Sequence, residues 1–151
     1  MFPDGNQVWR RHFGGAVPAT TFVPTLVPGF AIAEARCEIN LIAFKGPRMA
    51  VKAEAPPACD GHPHAVRAGD LLLTSGLLER PVESLQAMCT LEQALRIQIF
   101  YTDETEFHAT CRALQRCVPG TPLPISGVRV PGPLLIPACK VQIDAWIYAA
   151  P

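Results

Sequence analysis

The sequence lacks the features that mark membrane, exported and nucleic-acid-binding proteins. Its longest apolar runs fall well short of the roughly 18–20 residues that cross a bilayer. Its N-terminus lacks the basic region and apolar stretch of a signal peptide. The 13 basic and 13 acidic residues balance, and they form no basic stripe of the kind that nucleic acid selects. These absences predict a cytoplasmic protein with no membrane or nucleic-acid partner.

Signals for a cofactor or a metal ion are also absent. There is no glycine-rich phosphate loop, dinucleotide fingerprint or C-x-x-C pair. The run Cys-Asp-Gly-His-Pro-His at 59–64 superficially resembles a metal site. Zinc, however, usually takes two pairs of ligands from separated segments, and no second pair is present. We therefore predict no cofactor and no metal.

The cysteines are predicted to be structural. Because they stand singly and the cytosol keeps thiols reduced, we interpret them as small buried apolar side chains. They are Cys37, Cys59, Cys89, Cys111, Cys117 and Cys139.

What is present is enough apolar sequence for a core, and a long-range repeat. The 151 residues, 49% of them hydrophobic, support one domain or one domain plus a fragment. Val-Pro-Gly occurs at 27–29 and again at 130–132, and strand-like runs follow at 37–43 and 141–147. Such a repeat usually marks a repeated supersecondary unit. It predicts a partial α-β-β unit over 1–46, a linker over 47–57 and a nearly complete unit over 58–151.

The elements are punctuated by sixteen prolines, most of them in connectors. The pattern predicts an N-terminal helix at 6–13, a hairpin turning at Gly69 and a main helix that Thr102 or Asp103 caps. The order of elements favours an α+β fold, a mixed sheet with helices packed on one face. Strands are predicted at 20–23, 36–44, 64–67, 70–75, 95–101, 125–130 and 139–148, the main helix at 104–117, and one or two helical turns at 81–89.

Several runs together resemble the YjgF/RidA family. His-Ala-Val-Arg-Ala-Gly-Asp-Leu-Leu-Leu-Thr-Ser-Gly at 64–76 resembles its first hairpin. Ile-Gln-Ile-Phe-Tyr-Thr-Asp at 97–103, with Phe107, resembles its middle strand and second helix. Val-Gln-Ile-Asp-Ala at 141–145 and Cys-Glu-Ile-Asn at 37–40 resemble its last strand. The resemblance implies a chorismate-mutase-like fold, a homotrimer with ligand clefts between subunits, and hydrolysis of reactive enamines and imines to ketoacids.

The resemblance also assigns site residues, and several of them depart from the family. Thr20 in the first copy and Ser126 in the second stand where deaminase members place the arginine that holds a substrate carboxylate. The water-positioning glutamate is retained in the first copy as Glu38. In the second copy, Gln142 replaces it. The matched catalytic positions are therefore Glu38, Gln142 and Ser126. The implied substrate contacts are Ser75, Gly76, Thr20 and His62, the last replacing a family tyrosine, with Arg129 or Arg36 as substitute anchors.

The leading hypothesis is a divergent enzyme that acts on a small metabolite by hydrolysis, or by elimination or rearrangement, at an imine, enamine or enol-ether carbon. The alternative, which these departures support, is a non-catalytic subunit that binds a metabolite or stabilises an assembly. The family's long first helix is nearly absent, since only residues 80–93 are available for it. We expect residues 1–46 to complete the core, in cis or across a subunit boundary, or a related RidA-like subunit to do so.

Overall fold

The computed structural model describes residues 3–25, 37–53 and 61–149. A 3-10 turn over Leu91–Gln93 leads into the fourth strand. None of the helices of the described residues is long and apolar enough to span a membrane. The elements are α1 (Pro3–Phe13), β1 (Arg48–Val51), β2 (Ala65–Ala68), β3 (Leu71–Thr74), α2 (Pro81–Met88), β4 (Ala94–Tyr101), α3 (Glu104–Cys117), β5 (Ile125–Arg129) and β6 (Val141–Tyr148).

The six strands form one mixed sheet in the order β1-β2-β3-β6-β4-β5. All neighbouring pairs are antiparallel except β4 and β5, which are parallel. A parallel pair needs a crossover connection, and α3 provides it. The sheet with helices confirms the α+β prediction.

Alternation along β6 separates the two faces of the sheet. Ile143, Ala145 and Ile147 are buried in a core cluster that also contains residues of α2 and α3. Because successive strand side chains point to opposite faces, Gln142 and Asp144 lie on the face away from these helices. The site described below is on that second face.

Local sequence signals predict the hairpin and the main helix correctly. Gly69 has φ 61° at the turn between β2 and β3, a conformation that glycine adopts without steric cost. The Asp103 side chain caps α3, since it accepts hydrogen bonds from the backbone N–H groups of Thr105 and Glu106 at 2.8 and 3.3 Å. The residue range 104–117 is confirmed as predicted.

Two strand predictions in the first third of the chain are wrong. Residues 20–23 have no regular secondary structure, and neither do the described residues 37–44 of the predicted strand at 36–44. Ile39 and Leu41 are more than half exposed. Within the predicted linker, β1 pairs with β2 as an edge strand. An alternating pattern makes a strand only where another strand is free to pair with it, and the sequence does not identify that partner.

Some predictions concern residues outside those that the structure describes. They involve the first Val-Pro-Gly run, Arg36, Cys59 and Asp60. The division of the chain at residues 46 and 57 stays a prediction.

Candidate functional site

Residues 18–23, here called the N-terminal segment, lie over one end of the sheet face opposite α2 and α3. The backbone N–H of Thr20 donates to the Ser75 hydroxyl oxygen at 3.0 Å. The Thr20 carbonyl accepts from the Gly76 N–H, also at 3.0 Å. The Gln142 side-chain amide donates to the Phe22 carbonyl at 3.2 Å. The fold thus brings together most of the residues that the sequence predicts for substrate contact.

We call His62, Ser75, Gly76 and Gln142, against which Thr20 and Phe22 lie, the Gln142 site. It is tightly packed, because a Cβ on Gly76 would overlap the Gln142 amide. Only 1% of Gln142 is exposed. The Ser75 hydroxyl donates its proton to the Pro63 carbonyl at 2.6 Å, so its oxygen is left to accept. The Ser75 hydroxyl, the Gly76 N–H and the Gln142 amide thus each have a partner within the chain.

His62 is the titratable member of the Gln142 site. Its buried ring meets the Phe22 ring edge to face, with the centroids 5.8 Å apart. Burial lowers the pKa of His62, and the positive charge of Arg10 on α1 lowers it further. Gly61 (φ 79°) allows this approach, since a Cβ there would stand 3.0 Å from the Arg10 guanidinium. His62 is therefore neutral at pH 7 and can accept a proton.

We expect Arg10→Gln to raise the pKa of His62 toward its ordinary value of 6.5. Because the pKa is lowered in the folded state, the unfolded chain binds the extra proton more readily. The contribution of His62 to stability is complete above pH 6.5 and is lost as the pH falls through the folded-state pKa. Titrating the His62 ring proton by NMR measures the shift directly.

Arg11→Gln is the matched control, since it removes the same charge from the next position of α1. An unchanged His62 pKa in Arg10→Gln, or an equal change in the control, would show that Arg10 does not act on this ring.

A second polar cluster, the Ser126 site, lies along the middle of the same face. The Ser126 hydroxyl donates to the Gln98 side-chain oxygen at 3.0 Å, and Arg96 donates to the same oxygen at 3.1 Å. Arg96 also pairs with Asp144 at 3.2 Å, and its guanidinium lies over the Trp146 ring, 4.9 Å from the centroid. Gln98 thus links Ser126 to the Arg96 guanidinium, which is already paired with Asp144.

Asp144 connects the two clusters. Burial raises the pKa of its carboxyl group, while the Arg96 charge and the Thr21 side chain act in the opposite direction. Thr21 belongs to the N-terminal segment, so that segment touches both the Gln142 site and the Ser126 site.

Two predicted site residues are not brought into either cluster. Glu38 lies in the exposed stretch at 37–44, where its carboxylate accepts a hydrogen bond from the Asn40 amide at 3.1 Å. Arg129, at the exposed end of β5, is three positions from Ser126 and faces the opposite side of the sheet.

Other residues of the clusters were missed from the sequence. The alternation of β4 and β6 places Arg96, Gln98 and Asp144 on one face and could have revealed them. Arg10 and Phe22 carry no such signal, because they reach the site from segments distant in the chain.

The cysteines are less buried than predicted. Cys37 is exposed, and Cys89, Cys111, Cys117 and Cys139 are half-buried free thiols. Burial raises the pKa of Cys89 to about 11, so its thiol stays protonated at neutral pH and is a poor nucleophile. Among the described residues, no group of three or more His, Cys, Asp or Glu side chains is arranged to hold a metal ion.

No protein-family model and no curated protein matches the sequence. Solved structures match the fold. Rv2704 of Mycobacterium tuberculosis, a member of the YjgF/YER057c/UK114 family, is 23% identical with a TM-score of 0.55 over 68% of this chain and 100% of its own. RidA from an Antarctic Psychrobacter is 17% identical with a TM-score of 0.56 over 66% of this chain and 98% of its own.

A third match has a different description. A putative endoribonuclease L-PSP from Entamoeba histolytica is 8% identical, with a TM-score of 0.53 over 68% of this chain and 99% of its own. Each of the three is contained almost whole within about two thirds of this chain. The chain therefore has the YjgF/RidA fold, and about a third of its residues lie outside the common part.

Proposed function

We propose that this chain, which has the YjgF/RidA fold, is a non-catalytic subunit of a RidA-like assembly. The observation that carries the proposal is the position of Gln142. Its amide is 1% exposed and donates to the backbone of the chain's own N-terminal segment. Gln142 is neutral and closed off from solvent, and it stands where the family resemblance implies a water-positioning carboxylate. This favours a role without turnover.

The missing arginine supports the same function. Ser126 supplies a hydroxyl, and its hydrogen bond is given to Gln98. A hydroxyl carries no charge, and losing a buried charge-assisted contact to a substrate carboxylate removes about 2–5 kcal/mol of binding. Arg96 does not replace it as it stands, because Asp144 and Gln98 already bind its guanidinium.

An assembly role is supported by two apolar side chains on the sheet face opposite α2 and α3. Trp146 and Tyr148 stand two positions apart on β6 and are 37% and 44% exposed. Exposed aromatic side chains are enriched at interaction surfaces. The partner we propose is two further copies in a homotrimer, or a related RidA-like subunit. Native mass spectrometry of the isolated chain distinguishes these partners. A discrete trimer supports self-assembly, and a monomer supports a related RidA-like subunit as the partner.

We expect no release of ammonia or ketoacid above background when the chain is given a 2-aminoacrylate-type imine. The physical reason is the absence of both the carboxylate at position 142 and the arginine at position 126. An imine deaminase assayed in parallel shows that the substrate is present. Enzyme-dependent turnover that rises in proportion to the concentration of this chain would contradict the proposed function.

The second candidate is an enzyme acting at an imine, enamine or enol-ether carbon of a small metabolite. It is favoured by His62, whose lowered pKa keeps the imidazole neutral and able to accept a proton at pH 7. For this candidate the N-terminal segment must leave the Gln142 site before a substrate enters. Turnover of a metabolite other than the simple imine, abolished by His62→Gln, would favour the enzyme.

A further inference from the structure

We propose that the Gln142 site recognises the backbone of an extended peptide, and that residues 18–22 are its built-in occupant. This rests on the proposed function, because it names the ligand class of the same non-catalytic site. The argument depends on which polar atoms the site offers, how they are spaced, and what the N-terminal segment gives them.

The site requires one donor and two acceptors from its ligand. Ser75 can only accept, because its hydroxyl proton is given to the Pro63 carbonyl at 2.6 Å. The backbone N–H of Gly76 and the side-chain amide of Gln142 both donate. Thr20 meets the first two requirements with its own N–H and carbonyl, both at 3.0 Å. The Phe22 carbonyl meets the third at 3.2 Å.

This arrangement matches an extended peptide. In a strand, residues two positions apart direct their N–H and carbonyl groups toward the same neighbouring strand. Thr20 and Phe22 have this spacing. The bond from the Gly76 N–H to the Thr20 carbonyl is of the main-chain type that holds peptides added to a sheet, whereas the other two bonds run to the Ser75 and Gln142 side chains. A small carboxylate offers acceptors only, so it leaves the Ser75 oxygen without a donor.

Side chains add sequence preference. The Thr21 side chain interacts with the Asp144 carboxyl, which is mostly buried, and acts to lower its pKa. The Phe22 ring packs edge to face against His62, with an interplanar angle of 73°. The partner with this chemistry is an extended segment in which a hydroxyl residue is followed by an aromatic residue.

The test uses the full chain and a labelled synthetic peptide of residues 16–25, Ala-Val-Pro-Ala-Thr-Thr-Phe-Val-Pro-Thr. Phe22→Ala in the chain weakens its own segment, and fluorescence anisotropy measures binding of the peptide. When the chain's own segment fills most of the sites, the apparent affinity for the added peptide falls in proportion to the fraction of sites left open. The peptide should therefore bind Phe22→Ala at least about tenfold more tightly than wild type.

Two controls make the result specific to the site. Adding Gln142→Met to Phe22→Ala should weaken peptide binding about tenfold, because one hydrogen-bond donor is lost. A peptide with Thr20→Pro has no N–H for Ser75 and should bind about tenfold more weakly. Cooperative thermal melts show whether the variants are folded. If they are not, saturable shifts of the Gly76 amide resonance in the wild-type chain provide the same test.

Absence of saturable binding by the folded Phe22→Ala chain overturns the peptide site, as does equal binding by both controls. A small metabolite that binds the folded Phe22→Ala chain while the peptide does not also overturns it. Ammonia release from the imine substrate instead overturns the proposed function, so the two failures are distinguishable.

Discussion

Gln142→Glu is expected to destabilise the chain by about 2–4 kcal/mol at pH 8, because the change buries a carboxylate and removes a donor. Gln142 is 1% exposed and its amide donates to the Phe22 carbonyl, so an ionised glutamate would place two oxygens in contact. The variant restores the residue type that the family resemblance implies, but the folded site presents an acceptor to the added carboxylate and excludes it from water. Urea unfolding measures the loss.

The pH dependence of this loss has a definite sign. Burial raises the pKa of the introduced glutamate above its unfolded value, so the folded variant holds its proton more tightly than the unfolded chain. Relative to wild type, the variant is therefore most stable below the unfolded pKa of about 4.3 and loses stability as the pH rises through the folded-state pKa.

Gln142→Met is the matched control, because it removes the same hydrogen bond without adding a charge. It should cost about 1–2 kcal/mol and show no added pH dependence. If Gln142→Glu were as stable as wild type at pH 8, position 142 would have to face water, and the sealed site would be wrong.

Leu114→Ala is expected to cost about 3 kcal/mol of unfolding free energy, within the usual range for a large-to-small change in a core. Leu114 on α3 is fully buried in the cluster that joins the helices to the sheet. The loss combines the transfer free energy of the missing carbons with the cavity left between α3 and the strands. Chemical denaturation with a two-state fit gives the value.

Leu95→Ala makes the identical chemical change where 55% of the side chain is exposed. It should change the unfolding free energy by no more than about 0.5 kcal/mol. Similar costs for the two variants would show that α3 does not cover the sheet as described.

Local signals in the sequence determine much of the RidA-like part of the fold. Helix α3 has the predicted bounds because a capping aspartate and a helical apolar period agree with each other. The hairpin between β2 and β3 follows from a glycine that takes a positive φ. The placement of Ser75, Gly76 and Gln142 in one site follows from their resemblance to family positions.

The N-terminal third could not be predicted in the same way. Residues 37–44 alternate like a strand, but no described strand pairs with them. Residues 20–23 are β-branched and aromatic, yet they bind Ser75 and Gln142 as an irregular segment instead of joining the sheet. Contacts such as these join residues 55 and 120 positions apart, and residue periodicity has no information about them.

The central claim is that the N-terminal segment occupies the Gln142 site of a RidA-like fold. Nuclear Overhauser spectroscopy of the full chain tests it most directly, through the contact between the Phe22 and His62 rings. With the ring centroids 5.8 Å apart, cross-peaks between the two rings are predicted. A spectrum in which Phe22 shows cross-peaks only to its sequence neighbours would contradict the account.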